Sequence, residues 1–182
     1  SKIDSEKGIL HLKDDNFSPT ILRMSTLYGL SPRMRFDLVV NVFAKKAFTE
    51  KKVQVFGGEQ WRPLLHVEDA ADTFIKCLES PIKKIKGEVF NVGSNEQNYQ
   101  IKTLGYMIKE LFPETAVEIT KKEIVDGQDD QRDYQVCFKK IEERLRFKMK
   151  RDVKESMVEI YEAIKTGKIA DPEDVKHFNS PP

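Results

Sequence analysis

Apolar residues along this chain fall into two kinds of spacing, one at the helical interval of three and four, the other alternating or in short unbroken runs. Leu104, Met107, Ile108 and Leu111 predict one amphipathic helix, and Val153, Met157, Ile160, Tyr161 and Ile164 a second. Ala70, Ala71, Phe74, Ile75 and Leu78 predict a third, capped by Asp69 and stopped by Pro81, whose ring cannot continue a helix. A fourth is expected from Asp37, as its N-cap, through Phe43 and Ala47. Residues 1–12 predict a fifth, whose Ile3, Ile9, Leu10 and Leu12 call for a partner surface.

Between the helices lie β-branched or alternating runs, expected as strands: Thr20–Met24, Val53–Phe56, Leu64–Val67, Glu88–Val92 and Val117–Ile119. Strands that alternate with helices predict an α/β fold. Turn signals such as Ser31-Pro32, Gly57-Gly58 and Gly127 punctuate the elements without marking a domain linker, and there are no internal repeats. Residues 1–168 therefore read as one unit. The segment from Asp171 to Pro182, with three prolines and little periodicity, predicts a loose tail over 169–182.

A length of 182 residues suits a single domain. Lys and Arg number 31 against 30 Asp and Glu, so no long-range positive field would gather nucleic acid or an anionic membrane. The longest apolar runs, Leu38-Val39-Val40 and Val42-Phe43-Ala44, fall far short of the ~20 residues that cross a bilayer. The charged first residues contain no apolar secretory core, and the two cysteines, Cys77 and Cys137, each sit in an apolar stretch. Both are expected as buried, reduced thiols of a cytoplasmic protein. His11, His66 and His177 lie far apart and no metal-ligand spacing occurs, so no metal is expected. No G-x-S-x-G elbow supports covalent hydrolysis. None of the nine glycines builds a G-x-G-x-x-G loop, the usual cradle for a dinucleotide pyrophosphate.

Five stretches, in order, carry a resemblance. They are Ile21-Leu22-Arg23-Met24-Ser25-Thr26-Leu27-Tyr28-Gly29 with Ser31 to Leu38; Val55-Phe56-Gly57-Gly58 with Gln60-Trp61-Arg62-Pro63; His66-Val67-Glu68-Asp69; Val89-Phe90-Asn91-Val92-Gly93; and Asp130-Gln131-Arg132-Asp133-Tyr134. Together they resemble the extended short-chain dehydrogenases/reductases, in their nucleotide-sugar epimerase/dehydratase branch, over residues 1 to 165. The resemblance implies the C-terminal part of a Rossmann-like fold, with the last sheet strands and a small substrate-binding α/β subdomain. It implies that Ser1-Lys2 matches the end of the family's Y-x-x-x-K pair, with the tyrosine and glycine-rich loop upstream of residue 1. On this reading the partner of the chain is the N-terminal half of the fold, and a homodimer is expected. NAD or NADP would serve the full-length protein, and no tight cofactor binding is expected of this chain alone.

Residue by residue, the resemblance implies that Lys2 lowers the pKa of the tyrosine and bonds the nicotinamide ribose. Met24 and Ser25 match positions beside the nicotinamide, and Thr26 one that touches the sugar, where relatives often carry Asn. Leu38 would offer its backbone N–H to the diphosphate, and Gln54 and Phe56 would line the base pocket. Arg62 and Arg132 match diphosphate-clamping arginines, a task that suits a planar fork of donors. Plainer readings stand beside these. Lys2 reads equally as an exposed terminal lysine, Phe56 as core, and Arg62 and Arg132 as salt-bridge residues, the latter with Asp129, Asp130 and Asp133 to hand. His66 reads as structural. The function implied is binding of a nucleotide diphosphate-sugar within an NAD(P)-dependent epimerase/dehydratase of carbohydrate biosynthesis, with this chain alone inactive. The alternative is a non-catalytic module that binds a nucleotide sugar or a protein.

Overall fold

The structure, a computed structural model, describes residues 1–120 and 132–179. Its helices are α1 (Lys2–His11), α2 (Val39–Thr49), α3 (Val67–Leu78), α4 (Ile82–Ile85), α5 (Ile101–Leu111), α6 (Lys139–Leu145) and α7 (Val153–Lys165). Its strands are β1 (Ile21–Met24), β2 (Thr26–Tyr28), β3 (Lys52–Phe56), β4 (Trp61–His66), β5 (Val89–Val92), β6 (Asn98–Gln100) and β7 (Ala116–Thr120). β1 pairs with β5, β2 with β4 and β3 with β7, all parallel; β6 joins β4 antiparallel. The expected α/β class holds, with mostly parallel pairing as crossover helices require.

Two apolar cores support these sheets. One gathers Val40, Phe43, Ala44 and Ala47 of α2, Val53 and Val55 of β3, Leu104 and Ile108 of α5, and Val153, Met157, Ile160 and Ile164 of α7. Each fully buried aliphatic side chain contributes about 1.5–3 kcal/mol. Gly105 lets α5 lie directly on β3, since a Cβ there would meet Val55 Cγ2 at 2.9 Å. Phe112 stacks on Tyr161 at 4.2 Å and closes one end. The second core, of Leu65, Phe90, Val92, Phe138, Ile141 and Leu145, lies between β5 and α6.

Ser25 is the join between two pairings. The segment from Ile21 to Tyr28 runs beside β5 as far as Met24 and beside β4 from Thr26, with Ser25 N–H donating to Val92 O at 3.2 Å. Where an extended segment changes partner, the two neighbouring strands diverge and a crevice opens beyond their ends.

Several expectations need correction. Asp37 does not cap α2: Leu38 occupies that position, and the Asp37 carboxylate is held by Arg35 at 2.6 and 2.7 Å. Asp69 does not cap α3 either. His66 does so, its Nδ1 accepting from Glu68 N at 3.1 Å, while buried Asp69 accepts the backbone N–H groups of Lys150 and Arg151 at 2.9 and 3.1 Å. The apolar stripe of α3 faces outward: Phe74, Ile75 and Leu78 are exposed, and Ala70, Thr73 and Cys77 are buried. Cys77 is buried as expected but Cys137 is exposed, in the extended stretch before α6.

The tail is also not loose over its described part. Gly167, at φ +76°, turns the chain back after α7, Ile169 N–H donates to Ala163 O at 3.0 Å, and Ile169 and Phe178 pack on the first core. Glu173 bonds the buried Lys45 ammonium of α2 at 2.7 Å. Residues 180–182 lie outside the described residues. Prolines and weak periodicity marked irregular backbone there, and irregular backbone can still dock.

Candidate functional site

The crevice beside Ser25 is an open cleft of about 680 Å³. β1 and β2 bring Met24, Ser25 and Thr26 to its floor, the start of α2 brings Leu38 and Val39, β3 brings Gln54 and Phe56, β4 brings Arg62, and α1 brings Lys2. Arg132 closes the remaining side. All nine residues singled out from the sequence thus line one cavity.

The alternation of β3 explains two of them. Val53 and Val55 point into the core, so Gln54 and Phe56 must point out, here into the cleft. Phe56 is 54% exposed, which removes its reading as core. Ser25 Oγ donates to Val92 O at 2.7 Å and is fixed beside the point where β1 gives way to β2. At α2 the first N–H groups have no partner within the helix, and Leu38 and Val39 turn that end toward the cleft.

Arg62 is only 5% exposed, so it is no surface salt bridge. A buried guanidinium must have partners. Its Nη1 donates to Trp61 O at 2.8 Å and to Arg132 O, and the guanidinium lies 5.7 Å from the Tyr134 ring centroid. Arg62 thereby ties β4 to the irregular backbone at Arg132. Asp133, to hand as a partner for Arg132, accepts Trp61 N–H at 2.9 Å. Asp129 and Asp130 lie outside the described residues.

Lys2 is exposed at the head of α1, and α1 buries no side chain. Glu6 pins this helix to β1 through two-pronged bonds from Arg23 at 2.6 to 3.1 Å. The partner surface expected for Ile3, Ile9 and Leu12 is not supplied by the described residues, where all three are exposed.

The sequence reading passed over Arg35 and Gln60, which also line the cleft. Gln60 is held by Phe56 O at 3.0 Å and accepts Gly58 N–H at 2.8 Å, so it is set by the Gly57-Gly58 turn. Arg35 holds Asp37 well below the usual carboxylate range. Reading Asp37 as a cap hid the signal, an Arg two residues before an Asp. Four cations, Lys2, Arg35, Arg62 and Arg132, therefore face one carboxylate, Asp37, among the described lining residues.

His66 is outside this cleft. Its ring is 1% exposed beside Gly29, where φ is +105° and a Cβ would overlap the imidazole, and it meets Tyr28 edge-on at 5.2 Å. Burial, and then the charge of Arg151, push its pKa below the ordinary value. It is a structural histidine, as the sequence suggested.

Among the described residues no group of three or more His, Cys, Asp or Glu could hold a metal ion, and no helix is long and apolar enough to cross a membrane. For a dinucleotide, the sequence offers no glycine-rich cradle for the pyrophosphate, whereas Lys2, Met24 and Ser25 line the cleft.

Comparison with known proteins adds family and fold. Residues 1–93 match the model of the NAD dependent epimerase/dehydratase family. Over 86 residues, 42% of this chain and 22% of the relative, the sequence is 30% identical to UDP-D-apiose/UDP-D-xylose synthase 2 of Arabidopsis thaliana. The fold resembles UDP-glucuronic acid 4-epimerase from Bacillus cereus, solved with UDP-glucuronic acid and NAD: TM-score 0.69, 24% identity, 88% of this chain and 50% of that one. It also resembles UDP-glucose 4-epimerase from Thermotoga maritima, solved with UDP-glucose: TM-score 0.72, 20% identity, 92% of this chain and 52% of that one. The chain thus spans about half the length of these solved structures and less than a quarter of the curated relative.

Proposed function

The chain belongs to the NAD dependent epimerase/dehydratase family, and from that premise we propose that its cleft binds the nucleoside diphosphate part of a nucleotide sugar. The observation that carries this reading is the meeting of four cations with an exposed aromatic face at Phe56. A diphosphate needs fixed donors, best from guanidinium, and a base needs a flat apolar surface. Arg62 and Arg132 take the diphosphate together with the backbone at Leu38, Gln54 and Phe56 take the base, and Thr26 meets the sugar. Lys2, Met24 and Ser25 would hold the nicotinamide end of NAD(P), a group that accepts or returns a hydride when bound.

In the whole protein, we propose, bound NAD(P) would supply the hydride-accepting chemistry for a sugar oxidation within an epimerisation or dehydration. The absence of a glycine-rich loop among these residues makes sugar-nucleotide binding the share of that work assigned to this chain, in the manner of the C-terminal substrate-binding portion of such an enzyme.

Thermal shift and calorimetry with NAD, UDP, dTDP, GDP and UDP-glucose test the reading, since a ligand that binds only the folded state raises its melting temperature. A nucleoside diphosphate is expected to stabilise the chain more than NAD does. Arg62→Ala is expected to weaken that ligand by about 2–5 kcal/mol, the range for a desolvated charge-assisted contact. Stabilisation by none of the nucleotides, or unchanged affinity in both Arg62→Ala and Arg132→Ala, would reject it.

A further inference from the structure

The tail after α7 does more than complete a core. His177 O accepts the backbone N–H of Phe36 at 2.9 Å, and the His177 ring meets the buried Phe36 ring edge-on at 5.4 Å. The Asn179 amide oxygen accepts from Arg33 Nη2 at 3.3 Å; with the amide turned over, so that its oxygen faces Arg35, it accepts instead from both terminal nitrogens of that guanidinium, at 2.9 and 3.1 Å. Further back, Glu173 grips the buried Lys45 ammonium at 2.7 and 2.9 Å, and Lys45 sits over the rings of Phe36 and Phe178 at 5.7 and 5.2 Å.

His177 and Asn179 reach Phe36 and Arg35 directly, Glu173 reaches Phe36 only through Lys45 of α2, and Arg35, Asp37 and Leu38 line the cleft as a wall. That wall precedes the first turn of α2 and is anchored besides by the burial of Phe36 in the first core, by Val42 N–H donating to Leu38 O at 2.9 Å, and by Asn41, whose Nδ2 donates to Arg35 O at 3.0 Å. We infer that residues 171–179 act as a strap that fixes the Arg35–Leu38 wall and so sets how tightly the cleft holds its anionic ligand. Asn179 and Glu173 are positioning residues in this scheme. Neither lines the cleft, and each acts through a residue of the wall or of α2.

The link to a ligand rests on the nucleotide reading given above, while the mechanical part does not. A strap that fixes the wall slows opening at Phe36, and anything bound against that wall must in turn protect the strap, because coupling between two sites is reciprocal. A segment that merely adds to the core would show neither effect locally.

Two variants, Asn179→Ala and Glu173→Gln, separate these cases without removing an apolar side chain. Amide hydrogen exchange by NMR is expected to quicken roughly tenfold at Phe36 in either variant, consistent with the loss of one charge-assisted contact. The melting temperature should stay close to that of the unaltered chain in Asn179→Ala, whereas Glu173→Gln, which leaves the buried Lys45 ammonium without its carboxylate, should lower it. Calorimetry with UDP, dTDP and GDP should give affinities three- to tenfold weaker for whichever binds, and that nucleotide should slow exchange at His177 and Asn179 in the unaltered chain. Unchanged exchange at Phe36 in both variants overturns the strap. If none of the three nucleotides binds the unaltered chain, the nucleotide reading fails, and exchange at Phe36 still decides the strap by itself.

Discussion

α1 and α7 are helices of similar length with opposite fates. α7 buries Val153, Ser156, Met157, Ile160, Tyr161, Ala163 and Ile164, and Asp152 caps it by accepting from Lys154 N and Glu155 N. α1 buries nothing and is held to β1 by the Glu6–Arg23 pair. Both spacings contain apolar residues, but only α7 repeats them on one stripe wide enough to cover a neighbour. The cleft inherits this contrast. Phe56, Gln54 and Leu38 stand on elements packed against the first core, whereas Lys2 is carried by a helix that rests on the surface.

The largest expected effect breaks the firm side. Met157→Ala in α7 removes a fully buried side chain and should destabilise by about 2–5 kcal/mol in urea unfolding, the usual cost of lost burial plus the cavity left behind. Ile3→Ala in α1, 61% exposed, should leave the urea midpoint where it was. Similar losses for the two would erase the contrast.

Proton binding should divide the two sides next. Burial and Arg151 depress His66, with Glu68 and Asp69 opposing, so the unfolded chain takes up a proton that the folded chain refuses. The stability due to this group is complete above the unfolded value of 6.5 and declines as pH falls below it. Arg23 lowers Glu6, so that pair persists until the pH drops through and below 4.5. Melting temperature should therefore fall between pH 7 and pH 5, and His66→Gln should flatten that fall, while exchange in α1 stays constant over the same range. A pH-independent melting temperature in the unaltered chain would remove His66 from the account.

The smallest effect belongs to the surface helix itself. Arg23→Ala should leave the melting temperature unchanged and raise proteolysis or amide exchange over residues 1–12 alone. Exchange that spreads into β1 or β5 would mean that α1 supports the sheet, which its exposure argues against.

How much of this was legible follows the same division. Helices with a regular stripe, α5 and α7, and strands with alternation or unbroken runs, β1, β3 and β5, were readable because their partners are long-lived apolar surfaces. β2 and β6 are three residues each, too short for a period to register, and α6 has only Ile141 and Leu145 to announce it. Caps were misread at Asp37 and Asp69 because a carboxylate near a helix start has other uses. One pairs with Arg35 and the other fastens the loop before α7. The cleft was named by resemblance rather than by spacing, and what resemblance missed, Arg35, pairs with the Asp37 that had been read as a cap.

One earlier feature bears on how this site could be lost. β3 sets Gln54 and Phe56 toward the cleft and Val53 and Val55 toward the core, in register with Glu118 and Thr120 of β7. A slip of one position exchanges the two faces wholesale. Lys51, at φ +52°, begins that register in the short connection from α2. Adding or deleting a single residue in this connection would turn the pocket inside out, placing valines in the cleft in place of Phe56 and an amide in the hydrocarbon interior. The quantity guarded there is a count of residues, more than the identity of any one of them.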